Sequence, residues 1–226
     1  KGDLQWYKEG LREGKTLIFS KERLAFFDGT VKGRPMVLCV LGHCFDVSDG
    51  ERFYFGADEP YNCFIGRDGS RAFVTGEFTV EGATDDLSDF TGKQWLGVAH
   101  WLDFYNKHAT YKRVGSLVGK YFDAAGAPTP LLDEVLVTIE RERAKEEQDK
   151  RNYPSCNSRY TQATGTEVWC TFNSGGVERG WQGFPRKYKT DDDRNGQCVC
   201  VPGDRKDAHN VEEYLGCDPA GDRCKL

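Results

Sequence analysis

The sequence predicts an α+β protein: one larger mixed domain, a linking helix, and a small disulfide-rich C-terminal domain. Three observations carry this. Short apolar runs of strand type are mixed with helical periodicities through the first 125 residues. A long helical pattern follows, apolar on one face at its start and almost wholly charged at its end. Six of the nine cysteines, Cys156, Cys170, Cys198, Cys200, Cys217 and Cys224, crowd into the last third. The divisions that follow are a lead-in over 1–15, a mixed domain over 16–125, a linking helix over 126–151 and a cysteine-rich domain over 152–226.

Each element has its own signal. Residues 1–15, polar with scattered aromatics, read as an extended lead-in. "TLIFSKERLAFFDGT" reads as a strand and then a helix, with Ser20 as N-cap and Asp28-Gly29 as the stop. "RPMVLCVLGHCFDVSDG" is two apolar stretches about Leu41-Gly42, a hairpin in which Val40 faces His43 and Cys39 faces Cys44. Directly opposed residues have Cβ atoms about 4.5 to 5.5 Å apart, and a disulfide needs about 3.5 to 4.5 Å. A bridge is therefore within reach, but two small buried hydrophobes are the preferred reading. A short helix is expected over Gly66–Val74. The clearest helix runs from Gly92 to Ala109, with Trp95, Val98, Leu102 and Tyr105 at helical spacing and Thr91 as its cap. "YKRVGSLVGKYFD" closes the domain as a strand. A helix from Pro130 to about Arg151 should dock through "LLDEVLVTI" and leave "ERERAKEEQDKR" solvated. Beyond it, short strands and loops are expected around Trp169 and Trp181 as anchors.

Composition narrows the function. The net charge of -5 argues against a nucleic-acid partner, which calls for a basic face. No run of about 18 apolar residues occurs, so a membrane span is not expected. Six cysteines in a stretch poor in aliphatics indicate disulfides in an oxidising compartment. Zinc is the weaker reading, since the close pair Cys198-Val199-Cys200 is too tight for a metal knuckle. Cys63 is expected to be a buried free thiol. No nucleophile–base pair is visible, and no enzymatic activity is expected.

The stretch "RFYFGADEPYNCFIGRDGSRAF", residues 52–73, carries the candidate site. It sets Tyr54 and Tyr61 among four phenylalanines and several glycines and contains no histidine. A phenolate is an axial ligand for ferric haem iron, and an aromatic slot suits a planar hydrophobic ligand. Arg67 and Asp68 are expected to pin the junction between loop and helix.

"FSKERLAFFDG", "RPMVLCVLGHCFDVSDGERFYFG", "PYNCFIGRDGSRAF" and "DDLSDFTG" follow one another in order. Together they resemble the cytochrome b5-like haem/steroid-binding family, in its membrane-associated progesterone receptor branch, over residues 16 to about 122. The resemblance implies a cytochrome b5-like domain holding ferric haem b non-covalently. Tyr61 would be the axial iron ligand, Tyr54 would hydrogen-bond a propionate or the liganding phenolate, and Tyr111 would be a third haem-contacting tyrosine. Tyr54 and Tyr61 are seven apart where the family's spacing is six, and Thr110 stands where some members have lysine. The histidine pair of an electron-shuttling cytochrome has no counterpart among His43, His100, His108 and His209.

The cysteine-rich tail extends the similarity to a member of that branch. It implies a secreted, non-enzymatic haem-binding protein with an extracellular signalling role of the neuronal differentiation type. Further expectations are a protein partner or haem-mediated self-association. The alternatives are a protein-interaction module with an empty pocket, or a pocket that takes a steroid-like ligand.

Overall fold

The computed structural model describes residues 2–51, 56, 59–190, 193–204 and 210–226; the side chains of 190 and 193–195 are not described. The chain is α+β, as expected, and forms two compact units, Lys1–Glu142 and Arg143–Leu226.

The first unit is built on a four-stranded sheet. Its strands are β1 (Leu17–Phe19), β2 (Val37–Val40), β3 (His43–Asp46) and β4 (Lys112–Leu117). Their spatial order is β1-β4-β3-β2; β1 runs parallel to β4 and the other pairs are antiparallel. All four residues of β2 are buried, because both faces of the sheet are covered. Leu38, Val40 and Phe45 point into one core, and Val37, Cys39 and Cys44 into the other, the period of two that a strand imposes.

The hairpin has the expected register, Val40 opposite His43 and Cys39 opposite Cys44. Leu41 and Gly42 both take positive φ, 48° and 70°, as a two-residue turn matched to strand twist requires. Cys39 and Cys44 are disulfide-bonded, which corrects the preference for two unlinked thiols: direct opposition across the ladder was enough to bring the sulfurs together.

The lead-in is not extended. Residues Gly2–Arg12 form helix α1, which lies over the second core. Its buried Tyr7 donates to the Asp46 carboxylate at 2.6 Å. Gly10 is there because Leu17 Cδ2 occupies the place of a Cβ, 2.3 Å away. Helix α2 (Lys21–Ala25) starts as expected at Ser20, whose Oγ accepts from the Arg23 N–H.

Helix α3 is Ser70–Thr75, later than the expected start at Gly66. Residues 66–69 instead pair with β2: Gly66 N–H donates to Val37 O, Cys39 N–H to Arg67 O and Gly69 N–H to Cys39 O. These bonds satisfy an otherwise bare strand edge. Helix α4 (Lys93–Lys107) is capped at Gly92 rather than at the expected Thr91, and Gln94 reaches back to accept from the Thr91 N–H. Helix α5 (Pro130–Asn152) buries Leu132, Val135 and Ile139, while Glu146–Lys150 and Glu147–Arg151 pair along its charged end. Among the described residues no helix is long and apolar enough to cross a membrane.

The second unit contains β5 (Asn157–Thr161), β6 (Gly165–Trp169), β7 (Phe184–Thr190), β8 (Asp193–Val201), β9 (Val211–Glu212) and β10 (Arg223–Lys225). They form two antiparallel sheets ordered β10-β6-β5 and β8-β7-β9. The six cysteines pair as Cys156–Cys198, Cys170–Cys200 and Cys217–Cys224, so the disulfide reading holds. The small core is Tyr188, Val199 and Val201, with Tyr153 and Val211 against it. Trp169 and Trp181 are only half-buried and lie outside that core; Trp181 serves instead as a platform for the Arg179 guanidinium, 4.3 Å from its ring centre.

Candidate functional site: a tyrosine set in a wall of rings

The site lies on the face of the sheet that carries α3 and α4. Tyr61 stands immediately before a 3-10 turn, Asn62–Phe64, which drives Phe64 fully into the core. The Tyr61 ring stacks on Phe64 at 5.8 Å between centres, and Phe78 meets it edge-on at 5.4 Å. From Phe64 the rings continue through Phe73 (4.2 Å) to Trp101 (4.7 Å) on α4. The Trp101 indole is fixed by donating to the Phe73 carbonyl at 2.9 Å. Tyr105, one turn further along α4, lies on Phe45 (5.4 Å) and Tyr111 (5.9 Å). Side chains from a turn, a short helix, a long helix and the residue just before β4 thus meet in one aromatic layer.

Two of the three tyrosines named from the sequence are brought into this layer. Tyr61 is half-buried at its edge, and Tyr111 is buried within it. Tyr54 lies outside the described residues. Sequence reasoning places Tyr105 only in the apolar stripe of its helix, and helical spacing alone cannot mark it as anything else. It is 2% exposed, and its phenol is pushed well above the ordinary tyrosine range by burial, then by Tyr111 and Tyr61 nearby. At neutral pH it is an uncharged donor.

The junction behind Tyr61 is held as expected. Arg67 Nη1 donates to the carbonyls of Cys63 and Ile65. Asp68 is buried, accepting from Gly42 N–H (2.7 Å), Ser70 N–H (3.0 Å) and the Ser70 hydroxyl. Burial is the main force on its carboxyl, which is raised to about 6 even though those hydrogen bonds pull the other way. The Ser70 hydroxyl accepts in turn from Leu41 N–H at 2.7 Å. Cys63 is the free cysteine among the nine, half-buried rather than buried as expected, its thiol raised by partial burial against the opposing pull of Arg67.

The described histidines have other roles. His43, edge-on to Phe122 at 5.0 Å, is lowered to about 4 by burial and by Arg113 and is neutral. His108 lies flat on Tyr111, 3.7 Å between ring centres, and its Nδ1 accepts from the N–H groups of Thr110 and Tyr111. His100 is exposed on α4. His209 lies outside the described residues. A phenol backed by neutral rings is the donor chemistry that ferric iron takes from tyrosine, and the tilted stack of rings behind it offers apolar contact. In donor chemistry the residues fit a haem.

Searched against models of protein families, the chain matches none. Whole proteins are more informative. The chain is 38% identical to neuferricin of Mus musculus over a gapped alignment of 245 positions, covering 99% of this chain and 90% of that protein. It is 35% identical to neuferricin of Danio rerio, covering 93% and 80%, and 37% identical to that of Homo sapiens, covering 92% and 86%. The chain belongs to the neuferricin family. Similarity at this level over both units makes the cysteine-rich unit part of the family's architecture, not an appendage. Among solved structures, an Arabidopsis thaliana protein described as having a cytochrome b5-like fold is 30% identical, with 46% of this chain and 93% of that one covered and a TM-score of 0.40. A second Arabidopsis structure, described as a candidate steroid-binding protein, has 28% identity, 46% and 99% coverage, and the same TM-score.

Proposed function

We propose that this neuferricin-family chain is a secreted, non-enzymatic haem-binding protein with an extracellular signalling role. Tyr61 would hold the iron of a ferric haem b, bound non-covalently, through its phenolate oxygen, and Tyr111 and Tyr54 would support the group. The observation that carries this is the placement of the Tyr61 phenol at the edge of a layer of rings running from Phe64 to Tyr111. When bound, the haem supplies a ferric centre with low reduction potential, because an anionic oxygen donor favours the oxidised metal. The chain's own residues bind and orient it. Phe64 and Phe73 offer apolar contact, and Tyr105 offers an uncharged hydroxyl. Four disulfides support placement in an oxidising compartment. Self-association through the bound group would follow if its open face is left uncovered.

A second reading, a protein-interaction module, draws on the second unit, where Tyr160, Phe172 and Leu215 are exposed at 74%, 55% and 100%. In that reading the aromatic pocket is empty or takes a steroid-like ligand. The absorption spectrum of the protein with added ferric haem separates the readings. A high-spin tyrosinate spectrum that is lost in Tyr61→Phe supports haem ligation; no change in the haem band of the wild type refutes it and leaves the interaction module.

A further inference from the structure

We propose that Phe78 is a positioning residue for Tyr61: with Phe64 it forms a clamp on the phenol ring, and its outer face is the part of the clamp that a bound planar ligand covers. The proposal rests on the haem-binding reading for its second half only. Phe64 lies under Tyr61, nearly parallel to it, and is wholly buried. Phe78 stands edge-on to Tyr61 and to Phe64, both at 5.4 Å. Those contacts leave Tyr61 little freedom about χ1 and χ2 without displacing a ring.

Phe78 is nevertheless 42% exposed, so part of the ring that touches Tyr61 is left to water. Its backbone is tied down. Gly76 ends α3 at φ 75°, Phe78 N–H donates to Gly76 O, and Thr79 closes the following loop by accepting from Gly82 and Ala83 N–H. An apolar ring held on a fixed loop, half in contact with the candidate ligand residue and half in water, is what a surface completed by an apolar ligand needs. No regular periodicity runs through residues 76–90, so no role for Phe78 is legible in the sequence.

The test uses the full chain as wild type, Phe78→Ala and Phe78→Tyr. In the haem-free protein, the ring resonances of 13C-labelled Tyr61, assigned by their loss in Tyr61→Phe, should shift in Phe78→Ala and stay near the wild type in Phe78→Tyr. With ferric protoporphyrin IX loaded, its transfer to apomyoglobin should be about fivefold faster or more from Phe78→Ala, equivalent to about 1 kcal/mol. The melting temperature should move little, since the residue is half exposed. Unmoved Tyr61 resonances in Phe78→Ala overturn the clamp whether or not haem binds. Shifted resonances with unchanged transfer overturn the ligand-covered face. A wild type that takes up no haem refutes that face together with the functional reading, and the resonances still decide the clamp.

Discussion

Replacing Asp68 by Asn should destabilise the first unit, and the loss should grow as the pH falls. Asp68 is buried and holds two backbone N–H groups and one hydroxyl. An amide in its place keeps one acceptor and turns an NH2 group toward an N–H donor, an unsatisfied buried pair that costs about 1 to 3 kcal/mol. The pH dependence comes from the carboxyl itself, which rises from 3.8 to about 6 on folding. A raised carboxyl pKa stabilises the fold fully below 3.8, and this contribution is lost as the pH rises through 6. The limiting difference is about 3 kcal/mol at 1.36 kcal/mol per pH unit, and about 2 kcal/mol of it falls between pH 7.5 and 4.5. The amide of the Asp68→Asn variant does not titrate and makes no such contribution. Urea unfolding of both proteins at pH 7.5 and 4.5 should therefore show a stability gap about 2 kcal/mol wider at the lower pH. The wild-type curve alone would not reveal it. His43 is lowered to about 4, so its contribution is present above 6.5 and lost as the pH falls, opposite in sense. The gap between the two proteins removes that background. A gap constant to within about 0.5 kcal/mol, the usual size of non-additivity between independent sites, would refute the raised carboxyl.

Other perturbations separate packing from covalent constraint. Replacing both Cys39 and Cys44 by Ala should cost about 2 kcal/mol, for a sequence separation of 5. Breaking Cys156–Cys198 should cost about 3 kcal/mol, because with Cys170–Cys200 intact the loop it closes in the unfolded chain runs through that bridge and is about 16 residues rather than the full separation of 42; calorimetry of the oxidised proteins would measure both. Gly115→Ala should unfold the edge of the sheet, since a Cβ there would lie 2.2 Å from the Leu17 carbonyl oxygen, and faster hydrogen exchange of β1 amides is the measurement. Val98→Ala, at a site with no exposure in the cluster that also holds Leu41, Tyr121 and Leu132, should lower stability by about 2 kcal/mol in urea. Titrating thiols in the unfolded, unreduced chain should find one, Cys63.

Much of the first unit is legible because local signals and tertiary demands agree. Leu41-Gly42 fixes the turn, the turn fixes the register, and the register sets Cys39 against Cys44. The missing step is the bridge itself, since average cross-strand spacing is a little too wide for one and cannot report local closure. Helix α1 is illegible for a different reason. Its stripe, Leu4, Tyr7 and Leu11, has helical spacing but is only three residues set among charges, and the tie that fixes it is Tyr7 reaching Asp46, 39 residues away. The start of α3 is misread because Gly66–Gly69 commits its backbone groups to β2, a partner that local propensity does not see. In the second unit Trp169 and Trp181 suggest anchors by size alone, but cross-linked cysteines relieve such a small domain of the need for a large aromatic core. Of the rings gathered in the candidate site, Tyr61 and Tyr111 are named by motif, whereas Tyr105 and Phe78 are not, one hidden in an ordinary helical stripe and the other in a stretch without period.

The pairing of the last six cysteines has a consequence for how the molecule must be made. Cys217–Cys224 spans a sequence separation of seven and chooses itself by proximity. Cys198 and Cys200 do not. They sit two apart on β8 and join Cys156 and Cys170, which flank the hairpin of β5 and β6. A slip of two residues would bring one wrong pair into register, Cys156 with Cys200 or Cys170 with Cys198, and a slip of two keeps every side chain of β8 on its own face. Hydrophobic pattern therefore cannot veto the scrambled isomer. The choice falls to the ladder bonds around it, such as Cys156 N–H to Cys198 O and Cys200 N–H to Pro154 O. An oxidant that traps the first contact made would lock in mixtures, and Cys63 would be free to join them; a reshuffling isomerase would be needed to bring the chain to a single product.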